Sequence, residues 1–365
     1  MIPLLAAALL PTVPPAPPIE SNRQALLRWV MSPVLCHGGE RVVAERVVRA
    51  ADPQAAMVSS GMPALTPVAI DFRIDAAGRP LSITPVRAGW RAYGEDVVPA
   101  LAAARFAAGV ERARCTVTFT PHVEPLATAP VAELIAYAAT TPNMPREMWA
   151  KLLPAGADCS DPEPEVLLRA FPSFKSLPAQ PGYVSTTMVG YDIAANGKPV
   201  RPHPIVASGS PALDAAALTA VSRSRFERGA RHGCAFRYWK GATPLAAPPA
   251  PEEASVRPAD ATCPLTHEYE RKPVLRYPAA YNRRTIEGWA IIAFDVASWG
   301  QTGNIRVLAS EPSTDFAEAA TQMVRGVTMP PSPHGYTGCI ERVFYRIRKP
   351  GERPNAADPL PPVLY

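Results

Sequence analysis

The chain has 365 residues, 47% of them hydrophobic and 19% charged, which is enough for two to four domains that each bury a core. Its net charge of +5 is small and dispersed, so no basic stripe for nucleic acid is formed. Proline is abundant at 45 residues and gathers between apolar segments, where it marks boundaries rather than one long tract.

Residues 1–19 begin with an apolar run over 2–10 that is broken by Pro11 and followed by Val13-Pro14-Pro15-Ala16. A membrane span needs roughly 20 apolar residues, so this shorter run reads as the core of a secretory signal, although a positive leading region is missing. Residues 20–31, with Leu26, Leu27, Trp29 and Val30, read as an amphipathic helix leading to Cys36, and residues 40–50 as another. Residues 68–75 alternate as a strand, Ala77-Gly78-Arg79 turns, and residues 81–86 return. On that strand Asp71 and Asp75 are expected to face water. A helix over 97–104 ends at Arg105-Phe106, and residues 115–120 form a closing strand.

Two helices, 131–139 and 145–153, are expected to form a connector. Val166-Leu167-Leu168 reads as part of a leading helix for the next unit. Residues 187–193 are a strand, Asn196-Gly197-Lys198 a hairpin turn, and the return strand ends in Val206-Ala207-Ser208-Gly209. A helix starts at Leu213-Asp214, Arg225-Phe226 closes it, and residues 234–239 are the last strand. After a Pro-rich linker, Tyr277-Pro278-Ala279-Ala280 begins a short helix. Residues 289–296 are a strand, Gly300 and Gly303 mark a turn, and residues 304–308 pair back. A helix over 314–325 follows, capped by Ser313 or Thr314, with Phe316, Ala319, Ala320 and Met323 on one face. A Pro-Pro break leads to a closing strand over 339–347, and the Pro-rich remainder is expected to be extended or disordered.

The order helix, strand, strand, helix, strand therefore occurs three times. The expected organisation is a signal-like segment 1–19, a first unit 20–125, a helical connector 126–155, a second unit 156–242, a linker 243–258, a third unit 259–349 and a tail 350–365. The fold class is α+β. Each unit is expected to be a three-stranded antiparallel sheet packed by one or two helices.

The third unit resembles the C-terminal domain of the TonB family. The resemblance is carried by Tyr277-Pro278, Glu287-Gly288, Phe294-Asp295-Val296, the glycine turn and the valine strand ending at Ser310. The second unit shares Ser208-Gly209, the Leu213-Asp214 helix start with Ala216, Ala217 and Leu218, and Arg225-Phe226. The first unit, with Arg105-Phe106, is the most divergent. The resemblance implies an exported, periplasmic protein that meets outer-membrane TonB-dependent transporters, or other protein segments, by adding strand to strand. It also implies that the partner-binding edge is the last closing strand, at Ile340, Arg342, Phe344 and Arg346. A TonB-like transducer also has a membrane helix and a long Pro-rich rod, and neither is recognisable here. Engagement of a membrane motor is therefore not expected, unless the true start lies upstream and anchors the protein in the inner membrane. The alternative is a structural or scaffold protein of the cell envelope.

Six cysteines allow 15 pairings in one framework. Each unit has one cysteine before its core and one in its closing strand, with separations of 79, 75 and 76. The regular spacing predicts bridges Cys36–Cys115, Cys159–Cys234 and Cys263–Cys339, and hence an oxidising compartment. No pair has the C-x-x-C spacing of a redox or zinc site.

Nothing in the sequence assembles catalysis. His37, His122, His203, His232, His267 and His334 form no H-E-x-x-H motif and no i, i+4 pair. Ser208-Gly209-Ser210 lacks the G-x-S-x-G elbow and reads as a strand-to-helix turn. There is no P-loop or dinucleotide fingerprint. The expectation is a non-enzymatic protein without cofactor or metal.

Overall fold

Along Val68–Ile74, buried Val68, Ile70, Phe72 and Ile74 alternate with exposed Ala69, Asp71 and Arg73, the period-2 pattern that places one face of a strand on a core. The computed structural model describes residues 23–46, 54–58, 65–86, 93–126, 128–140, 148, 151–160, 162–266 and 268–347. The expected segments 1–19 and 350–365 lie outside the described residues.

The first sheet has seven strands. In chain order they are β1 (Arg23–Met31), β2 (Val34–Leu35), β3 (Arg41–Val42), then β5 (Gln54–Val58), β6 (Val68–Ile74), β7 (Pro80–Pro85) and β9 (Arg112–Pro125). Between them, β4 (Ala44–Arg46) and β8 (Arg105–Phe106) form a separate short pair. Helix α1 (Val97–Ala103) precedes β8 and is buried along its whole length. β9 is the axis of this sheet. One side pairs with β6 from Val68↔Phe119 to Ile74↔Arg112. The other pairs with β2 at Leu35↔Thr116 and with β1 from Met31↔Phe119 to Ala25↔Pro125.

Helix α2 (Val131–Thr140) follows, and residues 148, 151 and 152 beyond it are helical. The second unit contains β10 (Val166–Leu168), β11 (Ser185–Ile193), β12 (Pro199–Val206), α3 (Pro211–Arg223), β13 (Arg225–Phe226) and β14 (Arg231–Lys240). Its sheet runs β12-β11-β14, and β10 pairs with β13. The short α4 (Glu253–Val256) precedes α5 (Ala279–Arg283), β15 (Gly288–Val296), β16 (Thr302–Glu311), α6 (Thr314–Arg325) and β17 (Tyr336–Tyr345). The last sheet runs β16-β15-β17. The α+β class is thus realised as antiparallel sheets, each with one helix linking the hairpin to its closing strand.

The three hairpins share backbone detail that side-chain patterning does not demand. In each turn a left-handed glycine carbonyl accepts the N–H of a residue three or four positions past the helix: Gly78 from Phe106, Gly197 from Phe226 and Gly300 from Met329, at 2.9, 3.0 and 2.9 Å. In each return strand a non-glycine residue takes positive φ beside a register shift, namely Ser82, Arg201 and Asn304. That is β-bulge geometry, which bends the strand over its helix. Each bulged residue is bonded across the hairpin, to Arg73, Asp192 and Asp295 respectively.

One disulfide ties each sheet to the segment before it: Cys36–Cys115, Cys159–Cys234 and Cys263–Cys339. Past each first cysteine, the chain crosses to the residues just after the helix. It pairs there as Ala44↔Phe106, Val166↔Phe226 and Arg271↔Thr328.

Several sequence expectations are corrected. Residues 20–31 are not a helix; described from Arg23, they form β1, because the 14-residue β9 offers unpaired backbone beyond its own hairpin and tertiary pairing overrides local propensity. Residues 41–46 are strands β3 and β4 rather than helix, and Val166–Leu168 is strand β10. Only the third unit has a leading α-helix, α5, among the described residues; the others have single 3-10 turns over His37–Gly39 and Phe174–Ser176. Asp75 is buried, not solvated, because its carboxylate accepts the N–H groups of Ala77 and Arg79 and pairs with the Arg79 guanidinium. The Pro-rich segment 243–258 is not a free tether: Ala247, Ala250 and Val256 pack on Trp289, Ile291, Ala293 and Ile340.

The first and third units also share one core, which runs from Ile70, Ile83 and Leu101 to Tyr281, Phe316 and Met323. The Ile83 N–H bonds to the Pro312 carbonyl at 2.9 Å. The Glu311 carboxylate accepts the Ser82 N–H at 2.6 Å and pairs with Arg73 at 2.8 Å. Arg284 grips Asp96 through two hydrogen bonds of 2.6 and 2.5 Å, with both side chains 5% exposed.

Candidate strand-accepting edge

A three-stranded sheet has two edges, and an unpaired edge is a template for another chain. Here the edges are handled in different ways. The outer edge of β9 carries β2 and β1. The outer edge of β7 is bridged at Ile83 by Ser313. β12 carries Pro199, Pro202 and Pro204, which remove N–H donors from it. β14, β16 and β17 each pair with a single strand among the described residues.

β17 lies against β15 from Gly288↔Tyr345 to Val296↔Tyr336. Its Cys339, Val343 and Tyr345 face the helix side, where the Tyr345 hydroxyl donates to the Phe316 carbonyl at 3.1 Å and burial pushes the phenol above its ordinary range. At its start, the N–H groups of Thr262 and Cys263 bond to the Thr337 carbonyl. Further along, Tyr269 donates its hydroxyl to Glu341; burial, then the charge of Glu341, raise the Tyr269 pKa.

The four sequence-predicted edge residues alternate along the other face, and the structure divides them. Ile340 is 3% exposed beneath the Pro-rich segment, so it is a core residue of that face. Arg342, Phe344 and Arg346 stay together. The two guanidinium groups sit 5.3 and 5.5 Å from the Phe344 ring centre, and Phe344 is 37% exposed. Such cation–π contacts hold an aromatic ring out on a surface while shielding it. Glu252 lies 3.6 Å from Arg342.

Beside them is a cavity of about 400 Å³ lined by Pro248, Pro249, Trp289, Phe344 and Arg346 among others. Trp289 donates its indole N–H to the Pro248 carbonyl at 2.8 Å. Neither Trp289 nor Pro248 was singled out as a site residue in the sequence. The signal was a lone tryptophan at the start of a strand that follows a Pro-Pro segment.

Residues 273–342 match the family described as the C-terminal region of the Gram-negative bacterial TonB protein. This stretch is similar to a TonB C-terminal domain. It includes α5, β15, β16 and α6 and ends inside β17, so Phe344 and Arg346 lie just past the matched residues. No curated protein matches the chain. Among the described residues no helix is long and apolar enough to cross a membrane, and no cluster of three His, Cys, Asp or Glu side chains could hold a metal.

Proposed function

We propose that this is an exported, periplasmic TonB-like protein of three tandem TonB-like units. It binds segments of outer-membrane transporters, or other extended peptides, by strand addition at the outer edge of β17. Main-chain bonds along such an edge supply affinity, while neighbouring side chains supply specificity. Phe344 between Arg342 and Arg346 is the contact that would receive a partner side chain. The reading is non-enzymatic and uses no cofactor, and coupling to a membrane motor forms no part of it.

The observation that carries the reading is β1 on β9. On the first sheet the closing strand's outer edge holds an added antiparallel strand over seven residue pairs. Six of those pairs, at residues 120–125, lie past the end of the β6 pairing; opposite the hairpin the added chain meets β9 at Phe119, Thr118 and Thr116, through Met31, Ser32 and Leu35. The similarity of residues 273–342 to TonB C-terminal domains and three disulfides suited to an oxidising compartment support the rest.

A scaffold role is the second reading, and it is favoured by the sealing of β7 by residues 311–313 and the core shared by the first and third units. Titrating the full chain with synthetic N-terminal peptides of outer-membrane transporters separates the two. Strand addition predicts saturable binding that weakens at least fivefold in Phe344→Ala. Absence of saturable binding overturns it and leaves the scaffold.

A further inference from the structure

The second unit holds a cavity of about 880 Å³, larger than the one beside β17 and outside the residues similar to TonB. Its walls are mainly apolar, with Leu153, Pro154, Ala157, Pro164, Phe226 and Phe236 among them. Sites for small organic molecules run to about 300–1,000 Å³ and are lined in this way, with a few polar groups that fix orientation.

The other two units show how the space arises. In each unit the chain past the first cysteine pairs beside the end of the helix, at Ala44, Val166 and Arg271. Two residues earlier stand Val42 in the first unit and Tyr269 in the third, and both pack on the core those units share. The second unit has Pro164 at that position, and Pro164 lines the cavity instead.

Two side chains of opposite charge, Glu163 and Arg169, line this one cavity. Among the described residues neither lies within ion-pair distance of an opposite charge, so they do not neutralise each other. The Arg169 guanidinium packs 4.0 Å from the Phe236 ring centre and 5.3 Å from that of Phe226. It also donates to the Tyr191 hydroxyl, whose pKa is raised by burial against the opposing effect of Arg169. A neutral phenol leaves the charge of Arg169 in place, and a guanidinium has further donors to offer. Glu163 is exposed, so its carboxylate is met from the mouth of the cavity. Opposite charges set apart within apolar walls are complementary to a ligand that carries both.

We infer that this cavity binds a small aromatic zwitterion of the amino-acid kind, with its carboxylate on Arg169 and its ammonium on Glu163. The apolar body lies among Pro164, Phe226 and Phe236. The site uses no strand edge and is independent of β17.

The probe is free L-phenylalanine, titrated into the full chain by calorimetry beside two relatives that each lack one charge. N-acetyl-L-phenylalanine has no cation, and L-phenylalaninamide has no carboxylate. Phenylalanine is expected to bind about tenfold more tightly than either. Arg169→Met should erase its advantage over the amide and keep its advantage over the acetyl compound. Glu163→Gln, a change at an exposed position, should do the reverse, and Phe344→Ala should alter neither. Equal affinity of the three compounds, advantages that survive both substitutions, or no saturable binding at millimolar phenylalanine would each overturn the proposal. Loss of binding in Phe344→Ala would also overturn it, by moving the ligand to β17.

Discussion

Replacing Asp96 with alanine leaves the Arg284 guanidinium in a site where only 5% of its side chain reaches solvent. The pair makes two hydrogen bonds of 2.6 and 2.5 Å, and Arg284 also donates to the Gly182 carbonyl at 3.5 Å. Removing one partner of a buried pair costs about 3–5 kcal/mol, mostly because the other charge stays desolvated. With a urea slope of about 2 kcal/mol/M, that lowers the unfolding midpoint by about 1.5–2.5 M. The double variant Asp96→Leu with Arg284→Met removes both charges and should recover to within about 1 kcal/mol of the parent. Urea unfolding followed by tryptophan fluorescence is the assay. Of the six tryptophans, Trp29 and Trp289, both 5% exposed, report on the first and third units when each is kept alone and the others are replaced by phenylalanine. A single-variant shift below about 0.5 M would refute the assignment of a shared core spanning these two units, as would different transitions in the two single-tryptophan proteins.

Non-reducing peptide mapping should return the three within-unit bridges, and breaking Cys36–Cys115 with serine at both positions should destabilise by about 4 kcal/mol in the chain-entropy account. Gly197→Ala should cost about 1–3 kcal/mol by thermal melting, since φ is +80° and a Cβ would sit 2.2 Å from the Phe226 carbonyl oxygen. Burial alone would raise the pKa of Asp192, but the Gly233 N–H and the charges of Arg201 and His232 outweigh it and hold the carboxyl below its ordinary value. Asp75 and Asp295 are lowered in the same net direction by their own hydrogen bonds. Their contribution is present above the unfolded-state pKa of about 4 and is lost as pH falls through the folded values, so replacing all three with asparagine should flatten the loss of stability below about pH 4.

The sequence was most informative where local chemistry and tertiary structure agree. The Asn196-Gly197 turn, the alternation of Val68–Ile74 and the face of Phe316, Ala320 and Met323 each specify their element without help from distant residues. The cysteine spacing likewise carried the pairing, because each bridge joins the segment ahead of a hairpin to the closing strand of that hairpin's sheet. Reading failed where long-range pairing decides. Leu26, Leu27 and Val30 suit one helix face, yet the extra length of β9 draws them into a strand. Val166–Leu168 pairs with Arg225-Phe226, a contact some sixty residues away that no local window contains.

The candidate site was legible only in part for a related reason. Alternation put Ile340, Arg342, Phe344 and Arg346 on one face of one strand, but no local signal marked Ala247, Ala250 and Val256 as the cover of Ile340. Arg169 attracted no attention because a single arginine beside an apolar run is ordinary. The rings it packs on, Phe226 and Phe236, are brought to it only by the fold.

Hydrogen–deuterium exchange of the full chain, with and without a saturating transporter N-terminal peptide, tests strand acceptance most directly. The account predicts slowed exchange concentrated in residues 340–345 of β17, with the β1–β9 amides already protected before peptide is added. Unchanged exchange along β17 at saturation, or protection spread over loops instead of a strand edge, would contradict it.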